Sequence, residues 1–284
     1  MADAIVKLEH TLRQKLTRFL SERAALKLPE QVKGPRLEAL GLLRRVEAAG
    51  FSGFLFGGLL RDLMTASPLA QPRDIDIVID CLRREEIEDL VRDFATRTNR
   101  FGGIRVMSRI PIDLWCLRDT WAFTRGFWPR APENLPKTTF LNVEAVVASI
   151  NPGDGRSGRR IYSAGFFEAI DSQTLRLNCP DNPYPALCIV RTIVMARRLD
   201  FWLEPPLAEY LVREASGVSG EDLEQAQRSH YSAIRYDSRE IRRLISDVSE
   251  QLESGYDQIT LPGSRKSQKS MWETDNDHKR SLHV

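Results

Sequence analysis

Apolar residues in the first fifty positions recur every three or four residues. Ile5, Leu8, Leu12, Leu16 and Phe19 form one such stripe behind Asp3, which is placed to cap it, and Leu37, Leu40, Leu43 and Val46 form a second that Gly50 stops. Both patterns predict amphipathic helices. The period then shortens. Residues 52–56 are a short apolar run, and Ile75, Ile77 and Ile79 alternate with polar neighbours, so both segments predict strands. Between them Gly57-Gly58 leads into a helical turn or two over 59–64 and a loop over 67–72. Residues 84–96 return to helical spacing, with Glu85 and Glu86 in the first turn, and strands follow over 103–108 and 112–117. This order predicts an α+β fold, a small mixed β-sheet with flanking helices.

Residues 119–136 are aromatic and proline-rich, 140–150 are apolar, and 151–160 read as loop. Beyond 180 helical periodicity dominates, notably over 187–196, 206–215 and 238–252. The expected organisation is therefore N-terminal helices (1–50) packed on a sheet domain (51–180), a helical region (181–262) and a disordered tail (263–284) with almost no apolar content. The 284 residues, 42% of them hydrophobic, are enough for a sizeable core. No apolar run approaches the ~20 residues of a membrane span, and the stretch nearest to one is interrupted by Arg191. Helical alternation at the N-terminus lacks the apolar stretch of a secretory signal, so a soluble cytoplasmic protein is expected. A formal net charge of +2 does not announce a nucleic-acid binder. The four cysteines show no C-x-x-C pair and are expected as reduced thiols. Four histidines, two of them in the polar tail, supply neither a His-rich metal site nor a Ser/His/Asp triad.

Three acids carry the candidate chemistry. Asp74 and Asp76 lie two apart on a predicted strand, so they share one face with Cα atoms roughly 6.5 Å apart, a spacing that can hold Mg²⁺. Gly57-Gly58 passes from strand to helix, where backbone N–H groups and the positive helix end can meet a triphosphate. Arg61 lies one turn on and is placed to bind phosphate, with Asp62 to orient it. Asp113 shares its strand face with Trp115 and Leu117, where an acid needs a metal or a donor. Arg118 is the candidate ion-pair partner by sequence.

Phe56-Gly57-Gly58-Leu59-Leu60-Arg61-Asp62, followed by Arg73-Asp74-Ile75-Asp76-Ile77, resembles the Gly-Gly-x-Val-Arg-Asp and Asp-x-Asp elements of class II CCA-adding enzymes and bacterial poly(A) polymerases, in the DNA polymerase beta-like superfamily. Ile112-Asp113-Leu114-Trp115-Cys116-Leu117-Arg118 is similar to the family's Glu-Val-x-Thr-x-Arg strand, with Asp113 in the acidic place. Arg198-Leu199-Asp200-Phe201 resembles the Arg-Leu-Gly-Phe end of its neck helix. The resemblance covers residues 54–205 and implies a nucleotidyltransferase head followed by a helical neck, divergent and truncated. It implies an NTP substrate, two Mg²⁺ held by Asp74, Asp76 and Asp113, triphosphate held by Gly57, Gly58 and Arg61, and an RNA acceptor, above all a tRNA 3′ end.

The departures are specific. Thr138-Thr139-Phe140 stands where the family has Arg-Arg-Asp before its next motif, and Tyr184-Pro185-Ala186-Leu187-Cys188 replaces the base-reading Glu-Asp-x-x-Arg. Tyr184 is left to stack on a base and Arg191, in an apolar helix, to contact nucleotide, acceptor or an ion-pair partner. Two other readings stand beside the RNA one. One is a transferase that modifies a protein, small molecule or nucleotide in a toxin or phage-defence system, with a protein partner. The other is a non-catalytic nucleotide-binding scaffold, which the three gathered acids argue against. Gly153 to Gly158 matches G-x-G-x-x-G, but the basic, extended residues after it predict a loop rather than a dinucleotide-binding turn. Arg156, Arg159 and Arg160 there are expected to be solvated. Trp115, Trp121, Phe123, Phe127 and Trp128 are expected to pack as a rim rather than to stack bases.

Overall fold

The computed structural model describes residues 2–66, 72–99, 102–151 and 158–261. The loop over 67–71, most of the Gly153-to-Gly158 motif with Arg156, and the 263–284 tail lie outside the described residues. The chain divides into two compact units, Met1–Thr139 with Val143–Asp171, and Phe140–Asn142 with Ser172–Val284.

In the first unit α1 (Ala2–Phe19), α2 (Glu22–Ala25) and α3 (Glu30–Ala48) precede β1 (Ser52–Phe56), α4 (Gly58–Thr65), β2 (Ile75–Asp80) and α5 (Arg84–Val91). Then come β3 (Thr96–Thr98), β4 (Ile104–Val106), β5 (Ile112–Cys116), α6 (Trp121–Thr124), β6 (Val146–Ser149), β7 (Ile161–Ser163) and α7 (Phe166–Ser172). Among the described residues, seven strands form one sheet in the order β3-β4-β5-β2-β1-β6-β7. Only the β2–β5 pair in it is parallel. The expected mixed sheet with flanking helices is what forms.

Alternation sorts the side chains between the two faces. Ile75, Ile77, Ile79, Ile112 and Leu114 point to one side, where Leu12 and Leu16 of α1 and Leu40 and Leu43 of α3 complete the core. On the other side Phe54, Val78 and Val147 pack against Leu117, Phe123 and Leu135, with Phe56, Trp115 and Tyr162 at the margin. The aromatic, proline-rich segment thus covers part of the second face. Asp74 and Asp76 belong to that second face by the same alternation.

Four expectations are corrected. Asp3 lies inside the first turn of α1 rather than capping it. The helix expected over 84–96 ends at Val91, because Thr96 and Thr98, branched at Cβ, pair with Val106 and Ile104 as an edge strand. Arg118 donates to the Leu82 carbonyl and leaves Asp113 to another partner. Cys81 and Cys116 form a disulfide with Cα atoms 5.6 Å apart, since parallel pairing sets Cys116 beside Ile79, two residues short of Cys81. Cys179 and Cys188 are free and buried.

The second unit is helical. It holds α8 (Pro185–Leu199), α9 (Pro205–Ala215), α10 (Gly220–Tyr231) and α11 (Ser238–Glu253), with a two-stranded parallel pair of β8 (Thr174–Leu175) and β9 (Trp202–Leu203). Ser219 and Asp222 form a capping box on α10, and the Asp237 carboxylate caps α11 by accepting from the Glu240 amide at 2.8 Å. Among the described residues no helix is long and apolar enough to cross a membrane.

Candidate active site

Strand pairing lines up one row of side chains across the second face of the sheet. Arg105 of β4 lies opposite Asp113 of β5, Asp113 beside Asp76 of β2, and Asp76 opposite Phe56 of β1. Phe56 is followed directly by Gly57, so the β1–β2 register brings the start of α4 to Asp76 and the neighbouring Asp74. Five of the residues singled out by sequence, Gly57, Gly58, Asp74, Asp76 and Asp113, therefore meet at one edge of this face.

Gly57 has φ 59° and ψ −108°, a conformation that a side chain would strain. Its N–H donates to the Val146 carbonyl at 3.1 Å, and its carbonyl accepts from Arg61 N–H at 3.1 Å, closing the first turn of α4. A helix cannot satisfy its leading N–H groups internally, so those of Gly58 and Leu59 form the donor end beside the acids. Arg61 sits under this turn, buried. Its Nη1 donates to Glu144 and its Nε to Asp62 Oδ1 at 2.9 Å. Arg61 and Glu144 are each only 5% exposed. Arg61 thus braces the turn with Asp62 and Glu144 as its acceptors, and the donors that the turn itself leaves open are backbone.

Asp113 is 4% exposed and both its carboxylate oxygens accept hydrogen bonds. Arg105 Nε donates to Oδ1 at 2.9 Å and Oδ2 at 3.1 Å, Arg105 Nη2 donates to Oδ2, and Asn99 Nδ2 donates to Oδ1 at 3.0 Å. Hydrogen bonding to Asp113, with the added charges of Asp113, Asp74 and Asp76, holds the Arg105 guanidinium above its ordinary pKa despite burial. Asp74 instead takes Arg73, half exposed, at 2.9 Å, with Arg105 Nη2 at 3.6 Å. Among the described residues no three His, Cys, Asp or Glu side chains form a metal-binding group. Asp74 and Asp76 are two hard oxygen donors on one face, and the arginine nearest Asp74 is a surface one, which fits a divalent cation. Asp113, its oxygens occupied by Arg105 and Asn99, does not.

Tyr184 and Arg191 belong to the helical unit. Tyr184 precedes α8, its amide accepted by Asn182 Oδ1 at 3.1 Å, and Arg191 is half-buried along that helix. Of the basic loop, Arg159 donates to the Ile150 carbonyl, and burial lowers its pKa. Arg160 lies over the Phe54 ring with 6.0 Å to the centroid. Arg159 is therefore not the solvated loop arginine expected, whereas Arg160 is exposed as expected. Trp121 packs edge-on against Phe127 at 5.8 Å, and Trp115 against Phe56 at 6.0 Å. Sequence reading missed Arg105, Asn99 and Glu144. The available signals were a charged residue between Ile104 and Val106, and an acid inside the apolar stretch 140–150.

The chain has the nucleotidyltransferase fold. It superposes on the Thermotoga maritima CCA-adding enzyme complexed with tRNA with TM-score 0.52 and 17% identity, over 75% of this chain and 51% of that one. It matches a CCA-adding enzyme in complex with ATP with TM-score 0.55 and 18% identity, over 78% and 53%. A tRNA nucleotidyltransferase complexed with a primer tRNA and an incoming ATP analogue gives 0.53 and 16%, over 75% and 61%. The chain spans about half to three-fifths of these proteins' length. No protein-family model and no curated protein matches it.

Proposed function

We propose that this protein is a Mg²⁺-dependent nucleotidyltransferase that moves a nucleoside monophosphate from an NTP to the 3′ hydroxyl of an RNA, tRNA in the first place. The observation that carries this reading is the register that sets Asp74 and Asp76 beside the Gly57-Gly58 start of α4. Carboxylates able to hold a cation thereby adjoin backbone donors able to hold phosphates. The acceptor oxygen attacks the α-phosphorus, the bond to the bridging oxygen breaks, pyrophosphate leaves, and the hydroxyl proton passes to solvent. When bound, Mg²⁺ lowers the pKa of a hydroxyl and offsets phosphate charge. Asp74 and Asp76 bind and orient, while the Gly58 and Leu59 N–H groups hold phosphate oxygens. Arg61 and Asp62 keep that turn in shape. Catalysis of this kind is mostly placement and charge stabilisation.

RNA as acceptor is supported by the tRNA complexes of proteins with this fold. The helical region, 181–262, takes the part of neck, and Tyr184 and Arg191 are its candidates for contact with base or acceptor. Tyr184 stacks on any base and lacks the paired hydrogen bonds of Glu-Asp-x-x-Arg, so selection among bases is loose and one nucleotide type or a short homopolymer is added. The setting is cytoplasmic.

Incubation of the full chain with each labelled NTP and total RNA tests the reading. RNA labelled by the wild type and not by the Asp74→Asn/Asp76→Asn variant is the expected result. Equal labelling by both, or by neither, overturns it, and faithful C-C-A ends overturn the statement on base choice.

A further inference from the structure

We infer that Arg105 stands in the place of a second metal ion, so that the site takes a single divalent cation, at Asp74 and Asp76, and Asp113 is the anchor of Arg105 rather than a metal ligand. This rests on the nucleotidyltransferase reading and goes beyond it in the number of ions and the role of an arginine that no sequence motif marks.

Two observations point to a permanent guanidinium. The first is how firmly Arg105 is held. Backbone pairing of β4 with β5 sets it directly opposite Asp113, and three of its hydrogen bonds reach both carboxylate oxygens. Asn99 fills the remaining acceptor site on Oδ1, and its own side-chain oxygen accepts from the Gly103 N–H at 2.8 Å. A Cβ on Gly103 would stand 2.8 Å from Asn99 Nδ2 and 3.0 Å from the Leu114 carbonyl, so Gly103, Asn99 and Leu114 are closely packed at this contact. Asp113 is buried, so removing its partner is costly. The Arg73–Asp74 pair contrasts with it, since the Arg73 side chain is 50% exposed and an exposed pair is weak. An arriving cation therefore displaces Arg73 and leaves Arg105.

The second observation is charge. Once Arg73 is displaced, the three carboxylates Asp74, Asp76 and Asp113 and the one guanidinium of Arg105 leave a net charge of minus two, matched by one divalent ion. A second ion would need Asp113, both of whose oxygens already accept from Arg105, with Asn99 also on Oδ1. Arg105 Nη2, 3.6 Å from Asp74 Oδ2, already spans the acids from the β4 side. It would offer N–H donors to phosphate oxygens from that side, as α4 does from the other.

Mn²⁺ is the probe, added to the full chain with α,β-methylene-ATP and read by electron paramagnetic resonance and by the count of retained ions. Two Mn²⁺ in a shared site lie only about 3.5–4 Å apart and couple magnetically, so one ion and two are distinguishable without turnover. The expected result is one uncoupled ion, lost in Asp74→Asn/Asp76→Asn. Asp113→Asn should still hold one ion, more weakly because a negative charge is gone, and the charge-balanced Arg105→Met/Asp113→Asn variant should recover the lost affinity. Arg105→Met alone, which frees Asp113, should take up a second, coupled ion. Two coupled ions in the wild type, or loss of the ion in Asp113→Asn whose circular dichroism remains native, overturns the inference while leaving the transferase reading in place. An unchanged count in Arg105→Met also overturns it. No ion retained by the wild type overturns both.

Discussion

Replacing Glu144 by alanine tests whether the turn that presents backbone donors is held by a buried charge pair. Both side chains of the Arg61–Glu144 pair are 6% exposed, and Arg61 keeps a second acceptor in Asp62 at 2.9 Å. Removing one member of a buried pair costs ~3–5 kcal/mol, because the survivor stays desolvated. With Asp62 still in contact, Glu144→Ala belongs at the low end, about 3 kcal/mol, whereas Arg61→Ala strands two carboxylates and belongs near about 5 kcal/mol. At about 2–4 °C per kcal/mol for a unit of this size, Glu144→Ala should lower Tm by about 6–12 °C. Glu144→Gln keeps an acceptor for Arg61 and should fall between alanine and wild type. An Arg61→Met/Glu144→Leu double variant, which removes both charges and refills the space, should recover most of the loss. Urea unfolding followed by far-ultraviolet circular dichroism measures each difference. A loss below about 1 kcal/mol in Glu144→Ala, the range of exposed pairs, would refute the buried brace.

Reduction of the Cys81–Cys116 bond, whose ends are 35 residues apart, should cost about 3–4 kcal/mol of loop-closure entropy, read as a fall in the urea midpoint on adding dithiothreitol and absent in Cys81→Ser. An identical midpoint with and without reductant in the wild type would contradict this. Gly57→Ala should destabilise by about 1–3 kcal/mol and weaken nucleotide binding in a fluorescence titration, because its φ of 59° is closed to alanine. Gly58→Ala should not destabilise, since a Cβ there meets only Arg61 Nη2, at 3.7 Å; equal losses in the two would show that φ is not the cause. Hydrogen bonds from Ser219 hold the Asp222 carboxyl below its ordinary pKa, so its contribution is present above the unfolded value near ~3.9 and lost as pH falls through the folded one. Asp222→Asn should therefore flatten acid-side loss of stability on that flank, measured by thermal melts across the acidic range.

Which site residues could be read from the sequence follows from the range of the interaction that places them. Asp74 and Asp76 are separated by one residue, so strand alternation alone puts them on one face, and Gly57-Gly58 is a local strand-to-helix turn. Helices with strong apolar stripes, such as α1 and α3, were legible for the same reason. Arg105 and Glu144 were not. Arg105 meets Asp113 only because β4 pairs with β5 in one register, and a slip of a single residue would turn its side chain to the opposite face. Sequence proximity favoured Arg118, five residues from Asp113, which instead donates to the Leu82 carbonyl. Cys81 and Cys116 likewise became neighbours through the parallel pairing of β2 with β5.

The residues that pairing adds are the ones that change the charge of the site. From the local pattern alone, three carboxylates and an arginine one turn into α4 call for two metal ions and a phosphate-binding Arg61. Register moves both charges. Arg61 turns inward to Glu144, so it cannot be counted toward the phosphates, and Arg105 enters the acid row, so Asp113 cannot be counted toward the metals. On the proposed reading the number of divalent ions is therefore set by strand order and register, and a relative that keeps the three acids but carries a neutral residue opposite the third one should bind one more divalent ion than this chain does.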